Sequence, residues 1–225
     1  MKYLILNQIS SLLFICTIFL TVSSCSNNKS NISGNDDNLQ SVILPLNKGN
    51  IWSFEVIKYN SFGLHLDKYD AYNTITSDTT ISKEKWYKLQ IYDETSDYTC
   101  YTWGLVRNRA DGLWRKILDE ANDEYKQEEL YLKYPAEEGD SFFIEDSTIL
   151  VQVISTDQAI GTPSGIYQCY WYRFLNAGAS QYIIKELLLA PDVGWVESNY
   201  FFDPDMVGIW FVDKRWSLKF NLKID

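Results

Sequence analysis

The residues with the clearest chemical role stand near the start of the chain, where Val22, Ser23 and Ser24 precede Cys25. This pattern is a lipobox, and it predicts cleavage before Cys25 and acylation, including palmitate, of that cysteine. Residues 9–22 are nearly all apolar or small and Lys2 supplies a positive charge, which is typical of a cleaved signal rather than a spanning helix. We therefore predict a signal peptide over residues 1–24 and a mature protein held to a membrane by acyl chains on Cys25.

The single histidine is the next candidate for chemistry. His65 lies close to Gly63 in a predicted loop, and the chain contains no Gly-x-Ser-x-Gly nucleophile motif. The usual zinc sites need further histidines or cysteines, and no second histidine exists to complete one. We therefore expect His65 to be an exposed loop residue, and we predict no catalytic residue, no metal site and no cofactor.

Acidic residues form short clusters that could support acid–base chemistry. A glycosidase needs two carboxyl groups about 5 to 10 Å apart across a sugar cleft, and an acidic chain offers many such pairs. A calcium loop of the EF-hand type needs a central glycine, which the segment 119–124 lacks. We interpret the clusters as solvated turns; they are Asp119, Glu120, Asp123 and Glu124, then Glu137 and Glu138, then Asp203 and Asp205.

Four cysteines occur in the chain, and two of them are available for pairing. Cys16 leaves with the signal peptide and Cys25 is used by the lipid, so that Cys100 and Cys169 are left. In an oxidising compartment these two could form a disulfide. Free cysteines also pack as small apolar side chains, and the sequence leaves both possibilities open.

The charge balance excludes one large class of partner. The 225 residues include 30 acidic and 20 basic side chains, which gives a formal net charge of −10. Nucleic-acid binding needs clustered Lys and Arg that neutralise phosphates, so we expect no nucleic-acid partner. A membrane surface should likewise be held by the acyl chains rather than by charge.

Apolar residues after position 50 recur with a period of two. Trp52, Phe54 and Val56 alternate with Ser53 and Glu55, and aromatic residues make up 16% of the chain. The pattern predicts an all-β protein of antiparallel meanders, arranged as a sandwich or as an open or closed barrel. The predicted strands are 51–59, 68–80, 85–93, 97–108, 112–119, 126–134, 141–144, 147–156, 166–176, 181–189, 194–198, 207–213 and 216–224, and the segment 161–165 is a simple connection between two of them.

The folded part of the chain contains an apparent internal repeat. Residues 45–52 form a P-x3-G-[ND]-x-[aromatic] pattern that returns at residues 135–142. Further matches in the same order pair Trp86 with Trp171, Gly104 with Gly194, and Gly112 and Trp114 with Gly208 and Trp210. We predict an internal duplication, with a lipidated cysteine and flexible tether at residues 25–40, a first β-meander half at 41–134 and a second at 135–225.

The segment Ala190-Pro191-Asp192-Val193-Gly194-Trp195-Val196, together with the two P-x3-G-[ND]-x-[aromatic] starts, resembles uncharacterised β-rich lipoproteins of bacterial envelopes. The resemblance covers most of residues 44–198. It implies an all-β fold and an envelope location, most in keeping with the outer membrane of a Gram-negative bacterium, on either its periplasmic or its surface side. It implies no activity, because such families have none assigned.

Three classes of function follow from these observations. The first is a non-catalytic, lipid-anchored envelope protein that binds another protein or belongs to an assembly. The second is a carrier or binder of a lipid, a glycan or another small ligand in an aromatic-lined barrel or groove. The third is a hydrolase with carboxylate chemistry, which we favour least.

Overall fold

The alternation of apolar and polar residues becomes an all-β fold in the computed structural model of the protein. The structure describes residues 41–60, 62–93, 99–119, 124–178, 181–202 and 211–223. The predicted signal peptide, Cys25 and the tether lie outside the described residues. Among the described residues no helix is long and apolar enough to cross a membrane.

Fourteen strands follow one another along the described chain. The first half contains β1 (Ile51–Tyr59), β2 (His65–Ile81), β3 (Glu84–Asp93), β4 (Thr99–Arg109), β5 (Gly112–Lys116), β6 (Leu118–Asp119), β7 (Glu124–Tyr125) and β8 (Glu129–Lys133). The second half contains β9 (Ser141–Ile144), β10 (Ile149–Thr162), β11 (Gly165–Asn176), β12 (Ile183–Ala190), β13 (Gly194–Phe202) and β14 (Phe211–Leu222).

Twelve of these strands form one antiparallel sheet in the order β8-β5-β4-β3-β2-β1-β14-β13-β12-β11-β10-β9. The sheet curls into a nearly closed barrel shape, which decides between the sandwich and the barrel that the sequence left open. β8 and β9 are its two edges, and β6 and β7 form a separate two-stranded sheet. Because the central pair is β1 with β14, the first and last long strands lie side by side.

The barrel interior is packed with the apolar face of each strand. Trp52, Phe54 and Val56 point inward from β1 and are each at most 1% exposed. The alternation of apolar residues in the sequence therefore marks the buried face of β1. Trp52 packs edge-on against Trp195 of β13, with ring centroids 5.4 Å apart.

Most predicted strands agree with the structure to within a few residues, and β9 agrees at both ends. The prediction of two strands at 207–213 and 216–224 is wrong, because β14 runs unbroken through Lys214 and Arg215. The prediction left residues 214 and 215 between the two strands. In the structure Lys214 lies 3.4 Å from Asp93 of β3, and Arg215 donates a hydrogen bond to Asn199 of the adjacent strand β13, so both side chains have partners in the sheet.

The two P-x3-G-[ND] segments adopt the same turn. Gly49 and Gly139 have positive φ angles of 94° and 89°, a region that favours glycine. The N–H of Gly49 donates to the carbonyl of Ile75 over 2.7 Å, and the N–H of Gly139 donates to that of Val153 over 2.9 Å. The predicted equivalence of these two turns is confirmed, whereas common ancestry of the two halves stays a prediction.

Two of the other predicted equivalences are wrong. Irregularities follow Ile75 in β2 and Val153 in β10, and these residues pair with Leu89 and Tyr172 respectively. If the two halves are aligned so that Leu89 matches Tyr172, Trp86 lies three residues before the one and Cys169 three residues before the other. The structural counterpart of Trp86 is therefore Cys169, two residues before the predicted Trp171. Aromatic residues are so frequent in this chain that residues 86–89 resemble residues 171–174, although the two segments are not structurally equivalent.

The predicted match of Gly104 with Gly194 is wrong for the same kind of reason. Gly104 lies within β4, whereas Gly194 opens β13 directly after a turn. The counterpart of Gly194 is Gly112, which opens β5 and pairs with Arg109 as Gly194 pairs with Ala190. Gly208 and Trp210 lie outside the described residues.

Candidate interaction surfaces

The hairpin between β1 and β2 presents large apolar side chains to solvent. Phe62, Leu64 and Leu66 are 83%, 63% and 64% exposed, and we name these three residues the hairpin tip. Asn60 organises the turn, because its Oδ1 accepts hydrogen bonds from the N–H groups of Phe62 and Leu64 at 3.0 and 2.9 Å. The N–H of Asn60 also donates to the carbonyl of Leu64 over 2.9 Å. The apolar side chains are therefore held on an ordered turn.

The sequence interpretation overlooked the hairpin tip. It treated the segment after residue 59 as a loop and examined only His65, which the structure places in the exposed start of β2. His65 Nε2 lies 2.9 Å from the carbonyl oxygen of Asp67. The usable signal was the alternation Phe62, Leu64, Leu66, since three apolar residues in a loop have no core to enter.

The end of the barrel that carries the hairpin tip is mostly negative. Because neighbouring strands are antiparallel, the β1–β2, β5–β8 and β9–β10 connections lie at this same end. Exposed charged side chains in these connections and at the strand ends beside them are Asp67, Lys68, Glu124, Lys126, Glu145 and Asp146, four acidic and two basic. A partner of the hairpin tip would thus meet an apolar centre beside the exposed carboxylate of Asp67.

The opposite end of the barrel is closed by the segment that precedes β1. Ile43 and Leu44 are buried there, and Asn108 donates a hydrogen bond to the carbonyl of Leu44 over 2.7 Å. Ser41 Oγ and the N–H of Val42 both donate to the Asp192 carboxylate, at 2.8 and 3.0 Å. The chain therefore enters the barrel at the β12–β13 turn, remote from the hairpin tip.

A second group of exposed apolar residues lies at this end. Ile166, Phe220 and Leu222 are 80%, 54% and 48% exposed, and we name them the N-terminal rim. The β10–β11 turn reaches β14, since Ser164 Oγ donates to the carbonyl of Leu218 over 2.9 Å. Lys223, next to Leu222, donates to the carbonyl of Asp192. The rim is thus connected to the turn at which the chain enters.

Side chains, rather than a backbone ladder, join the two edge strands. Arg115 donates from Nε to Glu129 and from Nη2 to Glu145, each over 2.7 Å. The Arg115 side chain is only 5% exposed, and its Cζ lies 4.3 Å from the ring centroid of Tyr131. The N–H of Glu145 also donates to Glu129 over 2.7 Å, so one buried cation and two carboxylates bridge the seam.

A small cavity lies inside the barrel. Its volume is about 30 Å³, and its lining includes Asn73, Trp103, Lys185 and Trp216. Asn73 Oδ1 and Trp216 Nε1 are buried without a hydrogen-bond partner among the protein atoms described. The space suits about one or two water molecules, whereas small-molecule sites usually measure about 300 to 1,000 Å³.

Of the two cysteines that could form the predicted pair, only Cys169 has a described side chain. Cys169 is fully buried, and its Sγ lies 3.8 Å from the carbonyl oxygen of Tyr167. Burial, with a smaller contribution from Glu197, raises the pKa of this thiol to about 12. The side chain of Cys100 lies outside the described residues, so its pairing with Cys169 stays a prediction.

The predicted acidic clusters are not brought together into one site. Asp119 and Glu124 pair across β6 and β7, and Glu137 and Glu138 are exposed near the β8–β9 turn. Within the described ranges no group of three or more His, Cys, Asp or Glu side chains is placed to hold a metal ion. The segment 161–165 is a hairpin turn, and the remaining predicted acids, Glu120, Asp123, Asp203 and Asp205, lie outside the described residues.

Comparison with known proteins adds two similar structures. No protein-family model and no curated protein matches the chain. A protein with a YmcC-like fold from Bacteroides fragilis, inferred to be exported, is 11% identical with a TM-score of 0.46, and the match covers 81% of this chain and 100% of that one. An inferred lipoprotein from Parabacteroides distasonis is 12% identical with a TM-score of 0.46, covering 81% of this chain and 99% of that one.

Proposed function

We propose that this chain is an exported, lipid-anchored envelope protein without catalytic activity that binds another protein through its hairpin tip. The lipobox at Cys25 supports the export and the anchor. The observation that carries the binding role is the exposure of Phe62, Leu64 and Leu66 at 63% or more on one turn. Single exposed apolar residues are ordinary, whereas a cluster of large ones marks an interaction site.

The local structure of the tip favours binding. The hydrogen bonds from Phe62 and Leu64 to Asn60 order the turn before any partner arrives. An ordered turn loses little conformational entropy on binding, so more of the apolar contact contributes to affinity. The exposed carboxylate of Asp67 beside the tip favours a partner with a basic residue next to an apolar pocket.

Carrier function is the second candidate, and the interior cavity supports it. Asn73 and Trp216 present unpaired polar atoms to a space walled by aromatic rings. At about 30 Å³ that space admits water, so a lipid or glycan would require the walls to separate.

The carboxyl groups give little support to a hydrolase. A general acid needs a raised pKa, as in glycosidases. Arg109 and Arg107 hold the pKa of Glu84 below its ordinary value, and Lys133 does the same for Asp140. Both groups therefore behave as paired structural carboxylates.

Photocrosslinking in the native envelope tests the binding role. A benzoylphenylalanine residue in place of Phe62 should give a light-dependent adduct with a second protein. The matched control is the same residue in place of Phe143, which is 57% exposed on β9 away from the hairpin. Equal adduct formation at both positions, or an adduct with lipid at position 62, would contradict the proposal.

The anchor is tested separately. Cys25→Ala should leave an uncleaved precursor or a chain without acyl groups, and intact-mass measurement distinguishes these from the acylated protein. An unacylated mature protein made from the unaltered gene would refute the anchor.

A further inference from the structure

We propose that the N-terminal rim, formed by Ile166, Phe220 and Leu222, rests against the phospholipid surface that holds the acyl chains. The proposal depends on the lipid anchor proposed above and adds a second membrane contact to it. Its starting point is that these three large apolar side chains are 80%, 54% and 48% exposed at a single end of the barrel.

The position at which the chain enters determines which end faces the membrane. Fifteen residues separate Cys25 from Ser41, and Ser41 is bound to Asp192 at the rim end. A coil of that length has a mean span of about 20 Å. Strand β1 alone rises about 30 Å from this end toward the hairpin tip. The anchor therefore holds the rim end, rather than the hairpin tip, next to the bilayer.

The rim and the entering chain belong to one connected structure. Asp192 accepts hydrogen bonds from Ser41 and Val42 through its carboxylate and from Lys223 through its carbonyl oxygen. Lys223 follows Leu222 directly, and Ser164 joins the turn beside Ile166 to Leu218 of β14. The apolar side chains thus lie at the same end of the barrel as the point at which the lipid-bearing segment enters.

Apolar contact, rather than charge, would hold the rim in the interface. Exposed Lys48 and Lys83 lie at the same end of the barrel as exposed Glu137 and Glu138, so neither sign dominates. Large apolar side chains partition into the headgroup boundary without needing anionic lipid. The tether also keeps the bilayer at high effective concentration near the rim, which no freely diffusing partner matches.

The test uses the acylated full-length product in liposomes of phosphatidylethanolamine and phosphatidylglycerol. Benzoylphenylalanine replaces Phe220 in one variant and Ile166 in a second, with Phe143 and Phe62 positions as controls. After illumination, mass spectrometry should find phospholipid adducts at positions 220 and 166 in several-fold higher yield than at 143 or 62.

The outcomes separate this proposal from the anchor itself. A chain that does not float with the liposomes overturns the anchor and the rim contact together. A chain that floats but gives no more lipid adduct at 220 and 166 than at 143 overturns the rim contact alone. Protein–protein adducts at both rim positions would instead assign the rim to a second copy of the chain, which also overturns the proposal.

Discussion

The indole Nε1 of Trp52 donates a hydrogen bond to the carbonyl oxygen of Val193 across 2.6 Å. This contact joins the first strand of the barrel to the β12–β13 turn, which also binds Ser41 and Val42 through Asp192. A buried indole is costly unless its N–H is satisfied, so the turn completes the environment that Trp52 needs.

Replacing Trp52 should therefore destabilise the whole barrel. We expect Trp52→Ala to lower the free energy of unfolding by about 3 to 5 kcal/mol through lost burial and a residual cavity. Trp52→Phe keeps the ring and loses the hydrogen bond, so its effect should be smaller. Thermal melts of both variants test this, and an unshifted midpoint for Trp52→Ala would contradict a structural role.

Replacing Gly194 by alanine should destabilise the protein for steric reasons. A Cβ there would lie 2.6 Å from Leu44 Cδ1 and 2.8 Å from Trp52 Nε1, at a φ of +93°. Gly139 is a matched control, because its φ is +89° and a Cβ would meet nothing within 4 Å. We expect Gly139→Ala to cost about 1 to 2 kcal/mol from backbone strain alone. Gly194→Ala should cost about 1 to 3 kcal/mol more from overpacking, and equal denaturation midpoints would refute this.

Cys169 should be unreactive while the protein is folded. In a Cys100→Ser variant of the acylated protein, a maleimide should label Cys169 only after denaturation. Because the thiol pKa is raised to about 12, the thiolate stays scarce as pH rises from about 7 to 9, and labelling should remain slow across that range. Fast labelling of the native variant would contradict the burial. Intact mass of the unaltered protein before and after reduction tests the Cys100–Cys169 disulfide independently.

Arg115 should stabilise the seam between β8 and β9. Arg115→Met removes a cation whose side chain is 5% exposed and leaves Glu129 and Glu145, which are 24% and 41% exposed. Because water reaches both carboxylates, we expect a loss of about 1 to 3 kcal/mol, below the cost of breaking a fully buried pair. Arg215→Met is the control, since that side chain is 43% exposed and should contribute at most about 1 kcal/mol. Equal urea midpoints for the two variants would contradict a special role of Arg115.

Local sequence signals accounted for most strands. The alternation of Trp52, Phe54 and Val56 locates β1 and its buried face, and the glycine turns before β1 and β9 follow from backbone sterics. The barrel could not be predicted from local patterns, because its central strand pair joins residues as distant in sequence as Ile51 and Leu222. The continuity of β14 at Arg215 likewise depends on Asn199, a partner that no local pattern reveals.

The candidate surfaces were harder to predict than the strands. Ile166 is one apolar residue at the start of β11, and its exposure follows from where the folded barrel places it. Hydrogen bonds from Ser41, Ser164 and Lys223 connect the rim to β14 and the β12–β13 turn. These three residues are far apart in sequence. Without the fold, the sequence offered the lipobox and the alternation of Phe62, Leu64 and Leu66, but no signal for the rim.

The pairing of β1 with β14 has a consequence for biogenesis. On the proposed export route the chain would emerge from its N-terminus, so that β1 would leave the cytoplasm while Phe211–Leu222 is still to be translocated. Until that last strand arrives, one edge of β1 has unpaired backbone groups beside exposed aromatic rings, which is the condition that promotes aggregation. On that route the barrel would be completed only at the end of secretion, and a holding chaperone that covers the open edge of β1 until then would reduce aggregation.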